Sequence, residues 1–116
     1  MDKRETRDVL RKARGYIEQG WTQGAYARDD AFEPVEFNNR RAVCFCAVGA
    51  VSRAAHDLGT GSAGSEAALE ELSGHCADEM YADVLHEHND KVLNSQAEAL
   101  AWFDRAIADA MERGDT

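Results

Sequence analysis

Two cysteines and a later cluster of imidazoles are the residues with the most chemical potential in this chain. Cys44 and Cys46 open the run Cys44-Phe45-Cys46-Ala47-Val48-Gly49-Ala50-Val51, and His86, His88 and Asn89 follow downstream. A thiol at a helix N-terminus is acidified by the backbone N–H groups and the helix dipole. A histidine base and an orienting amide would complete the set a cysteine hydrolase needs. Such enzymes draw on a sheet to hold base against nucleophile, and the sequence shows no sheet. The competing account is that both thiols fill core volume, as small hydrophobes do. A metal site is the second chemistry to weigh. His75-Cys76 and His86-Glu87-His88 carry suitable donors, but zinc ligands recur as C-x2-4-C or at i and i+4 on one helix face. Cys44/Cys46 and His86/His88 are both i, i+2 pairs, which point apart on a helix. No metal and no cofactor is assigned.

Two further groups suggest structure and binding. Asn89-Asp90 stands between helical stretches, where short polar side chains bond neighbouring backbone or cap an adjacent helix. The start of the Cys44 helix is the expected target. Trp21, Gln23, Tyr26, Arg28 and Asp29 lie together in one segment, and Trp and Arg are enriched at interface hot spots. They form the candidate binding surface. The alternative is that Trp21 and Tyr26 plug the core while Arg28 pairs with a carboxylate.

The elements that position these residues read as helices. Val9, Leu10, Ala13, Tyr16 and Ile17 recur at helical spacing over about residues 2–19, with Arg4, Arg7, Arg11 and Arg14 as a second, basic stripe. Residues 21–41 form a long irregular segment carrying Trp21, Tyr26, Phe32 and Phe37, so it should lie on the core. Short extended pieces near 25–27 and 35–37 would make a small hairpin. The second helix is expected over Val43–Leu58, apolar around most of its circumference and central to the fold. Gly49 inside it implies close approach of a neighbouring helix. The stretch 59–64, Gly-Thr-Gly-Ser-Ala-Gly, reads as a flexible linker. A third helical stretch starts near Ser65, with Leu69, Leu72, Cys76, Met80 and Val84 as its stripe. The last helix opens on a capping box, Ser95-Gln96-Ala97-Glu98, and turns Leu100, Phe103, Ile107 and Met111 inward. Trp102 lies off that stripe and is expected to be partly exposed.

The fold class is therefore all-α or nearly so. Four to five helices surround a central apolar helix, with a long partly structured loop, in one domain spanning 1–116. The length supports a core without staples. Apolar residues make up 44% and charged residues 30%, an ordinary globular balance, and no apolar run is long enough to span a membrane. Three cysteines, an odd count, fit a reducing, cytoplasmic compartment. The net charge of −9 is uneven: residues 1–58 carry 10 basic and 9 acidic side chains, residues 59–116 carry 3 and 13. That imbalance repels nucleic acid and favours a basic protein partner.

Three pieces in order carry a resemblance. They are Gly20-Trp21-Thr22-Gln23-Gly24-Ala25-Tyr26-Ala27-Arg28-Asp29, the run Cys44-x-Cys46-Ala47-x-Gly49-Ala50, and Asn89-Asp90 ahead of a capped final helix. Over roughly residues 8–110 the chain resembles a family of small uncharacterised bacterial and phage proteins, a domain of unknown function. Tryptophan usually precedes the Asn-Asp pair there; His88 stands in its place here. The resemblance implies a compact prokaryotic domain and no activity. The first functional expectation is a non-enzymatic protein-interaction or regulatory module. A small thiol-dependent Cys/His enzyme and a small-ligand-binding domain are the alternatives.

Overall fold

The amphipathic first helix seeds the architecture. In the computed structural model, which describes residues 3–73 and 88–114, α1 runs from Lys3 to Gln19 and buries Val9, Leu10, Ala13 and Ile17 completely. Burying four such side chains stabilises the fold by several kcal/mol, at about 25 cal/mol per Å² of apolar surface. The chain then forms β1 (Ala27–Arg28), β2 (Pro34–Val35) and β3 (Cys44–Phe45) before α2 (Ala47–Leu58) and α3 (Gly61–Ser73). A π-helical turn, His88–Val92, precedes α4 (Gln96–Gly114). α1 packs on α2, α3 and α4 alike, while α2 packs chiefly on α1 and α3. The molecule is mostly helical, as its periodicity indicates.

A small sheet modifies the all-helical expectation. Its order is β2-β1-β3, with β1 antiparallel to both neighbours and Ala27 opposite Val35 on one side and Phe45 on the other. The expected hairpin is present, shifted by one or two residues. Asp29 closes it: its Oδ1 accepts from the N–H groups of Ala31 (3.0 Å) and Glu33 (2.9 Å). Phe32 takes a left-handed φ of 64° at the tip.

Helix α2 begins at Ala47, not Val43. The apolar pattern of 43–46 serves a strand instead. Phe45 donates to Gly20 O (2.9 Å) and accepts from Thr22 N (3.0 Å), and Cys46 is the residue that caps α2. Gly59, at φ 74°, ends the helix in the left-handed conformation usual for glycine at this position. The stretch 59–64 is therefore no linker, since α3 starts at Gly61.

Trp102 corrects another expectation. It is fully buried, and its indole Nε1 donates to Leu72 O at 3.2 Å. The inward face of α4 is Ala99, Trp102, Phe103, Ala106 and Ala110, with Leu100 and Ile107 packed at its flanks. Three alanines flank its two large residues, Trp102 and Phe103. Ser95 caps α4 as the sequence implies, with Glu98 N donating to Ser95 Oγ at 3.2 Å. The return contact from Glu98 reaches Asn94 N (3.1 Å), one residue before the expected partner.

Candidate functional site

The π-helical turn delivers one side chain that ties three distant segments together. π-turns are rare and recur at functional sites. Asn89 is fully buried. Its Oδ1 accepts from Trp21 Nε1 (2.8 Å) and from Ala47 N (3.1 Å). Its Nδ2 donates to Thr22 O (3.1 Å) and Asp90 Oδ1 (2.8 Å). The amide thus uses two acceptor and two donor positions, its full capacity. A buried polar group satisfied this completely rigidifies whatever it touches. Gln23 reinforces the clamp: its Nε2 lies 2.8 Å from Asn89 O and 3.1 Å from both Asp90 O and Leu93 O. Gly24 N completes it by donating to Asp90 Oδ1 at 3.0 Å.

The same clamp closes the N-terminus of α2. Ala47 N is taken by Asn89, Cys46 N donates to Tyr26 O (3.1 Å), and Gly49 N donates to Cys46 Sγ (3.3 Å). These N–H groups, usually open to an anion, are occupied by the protein itself. Gly49 is needed for a reason other than the one its position in a helix suggested. A Cβ there would collide with the carbonyl group of Tyr26, so the close neighbour is loop backbone and not a helix. Gly20 is similarly confined: a Cβ would lie 2.6 Å from Val43 O and 2.8 Å from Cys44 Cβ.

Of the two sulfurs, Cys46 is buried and Cys44 is half-buried, its Sγ 3.9 Å from Arg28 O. Burial pushes the Cys46 thiol from an ordinary 9.0 up to about 11, and the nearby Asp90 charge adds to the rise against the opposing pull of the Gly49 N–H. At neutral pH the group is a thiol and a weak nucleophile. Its folded value lies above its unfolded one, so the stability it contributes is complete below about pH 9 and declines as pH rises through about 11. Cys46→Ser, which replaces the capping sulfur with a capping oxygen, should remove that decline. We expect equilibrium denaturation curves of wild type and variant to converge toward neutral pH and separate between about pH 9 and 11, the wild type losing more. Parallel curves would show that Cys46 ionises as freely in the folded chain as in the unfolded one. His75, Cys76 and His86, and the side chain of His88, lie outside the described residues. Among the described residues no cluster of three or more metal-binding side chains occurs.

The five loop residues expected at a binding surface fall into two groups. Trp21, Gln23, Arg28 and Asp29 hold the loop together. Arg28 donates to Thr22 Oγ1 (3.0 Å), Phe32 O (3.2 Å) and Gln23 O (3.2 Å), and its guanidinium lies 4.5 Å from the Phe32 ring centroid. The far end of the loop is fixed by Arg53 Nη1, which donates to Phe37 O (3.1 Å) and Asn39 O (3.2 Å). Tyr26 differs. It is 50% exposed and borders a cleft of about 570 Å³ lined by Gly24, Ala25, Pro34, Val35, Glu36, Cys46 and Asp90. Pro34, Val35 and Glu36 carry no signal in the sequence that would have placed them there; the pairing of β2 with β1 brings them into the same cleft as Tyr26. Thr22, buried and bonded to both Asn89 and Arg28, is equally hard to read from its type.

These features define a mostly helical domain in which a buried asparagine on a π-turn pins an aromatic loop and a three-stranded sheet against a helix N-terminus, with an open cleft beside Tyr26. The chain belongs to a family of unknown function, DUF6197, whose model matches residues 1–109. No curated protein and no solved structure matches the chain.

Proposed function

We propose that the domain is a non-enzymatic protein-interaction module and that the cleft beside Tyr26 is its contact surface. One observation carries this reading. In a loop ordered by internal hydrogen bonds, Tyr26 is half-exposed and lines an open cleft. A rigid floor supports it, since Asn89, Gln23 and Asp90 order the loop before any partner arrives. Such pre-organisation lowers the entropic cost of association. The net charge of −9 suits a basic partner, the motif resemblance favours a bacterial or phage setting, and the odd cysteine count favours a reducing, cytoplasmic one. Among the described residues no helix is long and apolar enough to cross a membrane.

A small-molecule ligand is the second reading, favoured by a cleft volume within the usual range for such sites. Native mass spectrometry of protein purified from its host would show it as a non-covalent adduct. The thiol-enzyme reading draws no support from Cys46, whose burial keeps it protonated. The test of the interaction reading is site-specific photo-crosslinking in host extract, with a benzophenone amino acid in place of Tyr26 or, as a control, of exposed Ala101 on α4. Discrete adducts from position 26 that are missing from position 101 are expected. Identical adducts from both positions would overturn the assignment of the surface.

A further inference from the structure

The chemistry of the cleft walls narrows what enters it. Among the described residues that line it, Glu36 and Asp90 are carboxylates and none is basic. Both hydrogen bonds that the Asp90 side chain accepts among the described residues end on Oδ1, from Gly24 N and Asn89 Nδ2. That pairing engages Oδ1, and Oδ2 accepts no hydrogen bond among the described residues. Glu36 is exposed and accepts no hydrogen bond among the described residues through its side chain. The same cleft is lined by Tyr26, Pro34 and Val35, an aromatic ring and two apolar surfaces. Arg28, the nearest basic residue along the loop, is engaged by Thr22, Gln23 and Phe32 and is not part of the lining.

Resting on the interaction reading above, we propose that the cleft receives an arginine side chain presented by an extended segment of the partner protein. A guanidinium is planar and carries five N–H donors in a fixed fork, so its edge can serve two separate carboxylates while its face lies on an aromatic ring. Its aliphatic stem covers apolar surface, here Pro34 and Val35. Lysine offers a compact, more strongly hydrated charge and no stacking face. Asp90 is the anchor because its geometry is set in advance; Glu36 is the adaptable second acid. The charge of the whole chain attracts the same ligand from a distance.

Fluorescence anisotropy with short labelled peptides tests this. The probes are Gly-Ala-Val-Arg-Val-Ala-Gly and the same peptide with Lys or Gln at the centre. The arginine peptide is expected to bind at least about threefold more tightly than the lysine peptide and about tenfold more tightly than the glutamine peptide. Its affinity should fall as salt rises. Glu36→Gln and Tyr26→Ala should each weaken the arginine peptide about three- to tenfold. Asp90→Asn should do the same, with Glu36→Gln as the safeguard if loss of the Asp90 charge disturbs the clamp. Equal binding of arginine and lysine peptides would overturn the choice of arginine. Equal binding of the glutamine peptide would overturn the cationic occupant while leaving the cleft a docking surface. If no peptide binds yet crosslinks still form only at position 26, the inference fails and the interaction reading stands. If the crosslinks are not confined to position 26, that reading fails as well.

Discussion

Replacing Asn89 with alanine should destabilise the domain by about 4 kcal/mol. The substitution removes four hydrogen bonds at once and leaves Trp21 Nε1, Ala47 N and Thr22 O without the partner they now share. Buried polar groups stripped of a partner each cost about 1–3 kcal/mol. For a domain of this size the loss should lower Tm by more than about 10 °C. Asn89→Asp distinguishes shape from hydrogen bonding. It keeps an acceptor for Trp21 and Ala47 but loses the donor to Thr22 O and sets a second carboxylate against Asp90. Burial and the like charge raise the pKa of that new acid. Its folded value then exceeds its unfolded one, so the deficit should narrow as the pH is lowered, when the protonated acid can donate again. Thermal melts of both variants across pH check this, and a Tm unchanged in Asn89→Ala would show that the clamp contributes little.

Gly49→Ala is the second large effect, and its sign is diagnostic. Helix propensity alone assigns alanine an advantage of about 1 kcal/mol over glycine in a helix interior. The structure reverses the sign, because the added methyl would occupy the space of the Tyr26 carbonyl group. The obstacle is backbone, held by Cys46 N and by the pairing of the adjacent Ala27 with Phe45, so it cannot rotate aside as a side chain would. A loss of about 3 kcal/mol is expected, at the upper end of overpacking costs. It should appear as a lower midpoint in urea at nearly constant m-value. A midpoint equal to or above that of the wild type would contradict the close contact. Because Tyr26 moves with its carbonyl, the same variant should also weaken whatever binds at the cleft.

Local chemistry is what the sequence displays well here. The α1 stripe, the Ser95 cap and the presence of a small hairpin follow from spacing and residue type, and each is present. Contacts made across long sequence separations are less visible. Cys44 and Phe45 look helical because their neighbours are apolar, but pairing with β1 claims them for a strand. Trp102 appears stray only if the alanines at 99, 106 and 110 are not counted as a packing face. The stretch 59–64 reads as a linker by composition, yet Gly59 serves as a cap. For the site, an Asn-Asp pair near a helix start is a legible hint of capping. That Asn89 would also hold Trp21 and Thr22 depends on a register no local pattern records. The cleft was least legible of all, since Pro34, Val35 and Glu36 acquire their position only when the hairpin folds beside Tyr26.

The span bridged by Asn89 has a consequence for the order in which the domain matures. Residues 21–24 and 47 emerge from a ribosome well before residue 89, and domains acquire structure as they are synthesised. Until the π-turn arrives, the nascent chain holds an aromatic segment and a helix start whose polar groups have no final partner. The cleft beside Tyr26 is therefore assembled late, by the last third of the polypeptide acting on the first. A stalled or clipped chain ending before His88 would display the loop without its shape.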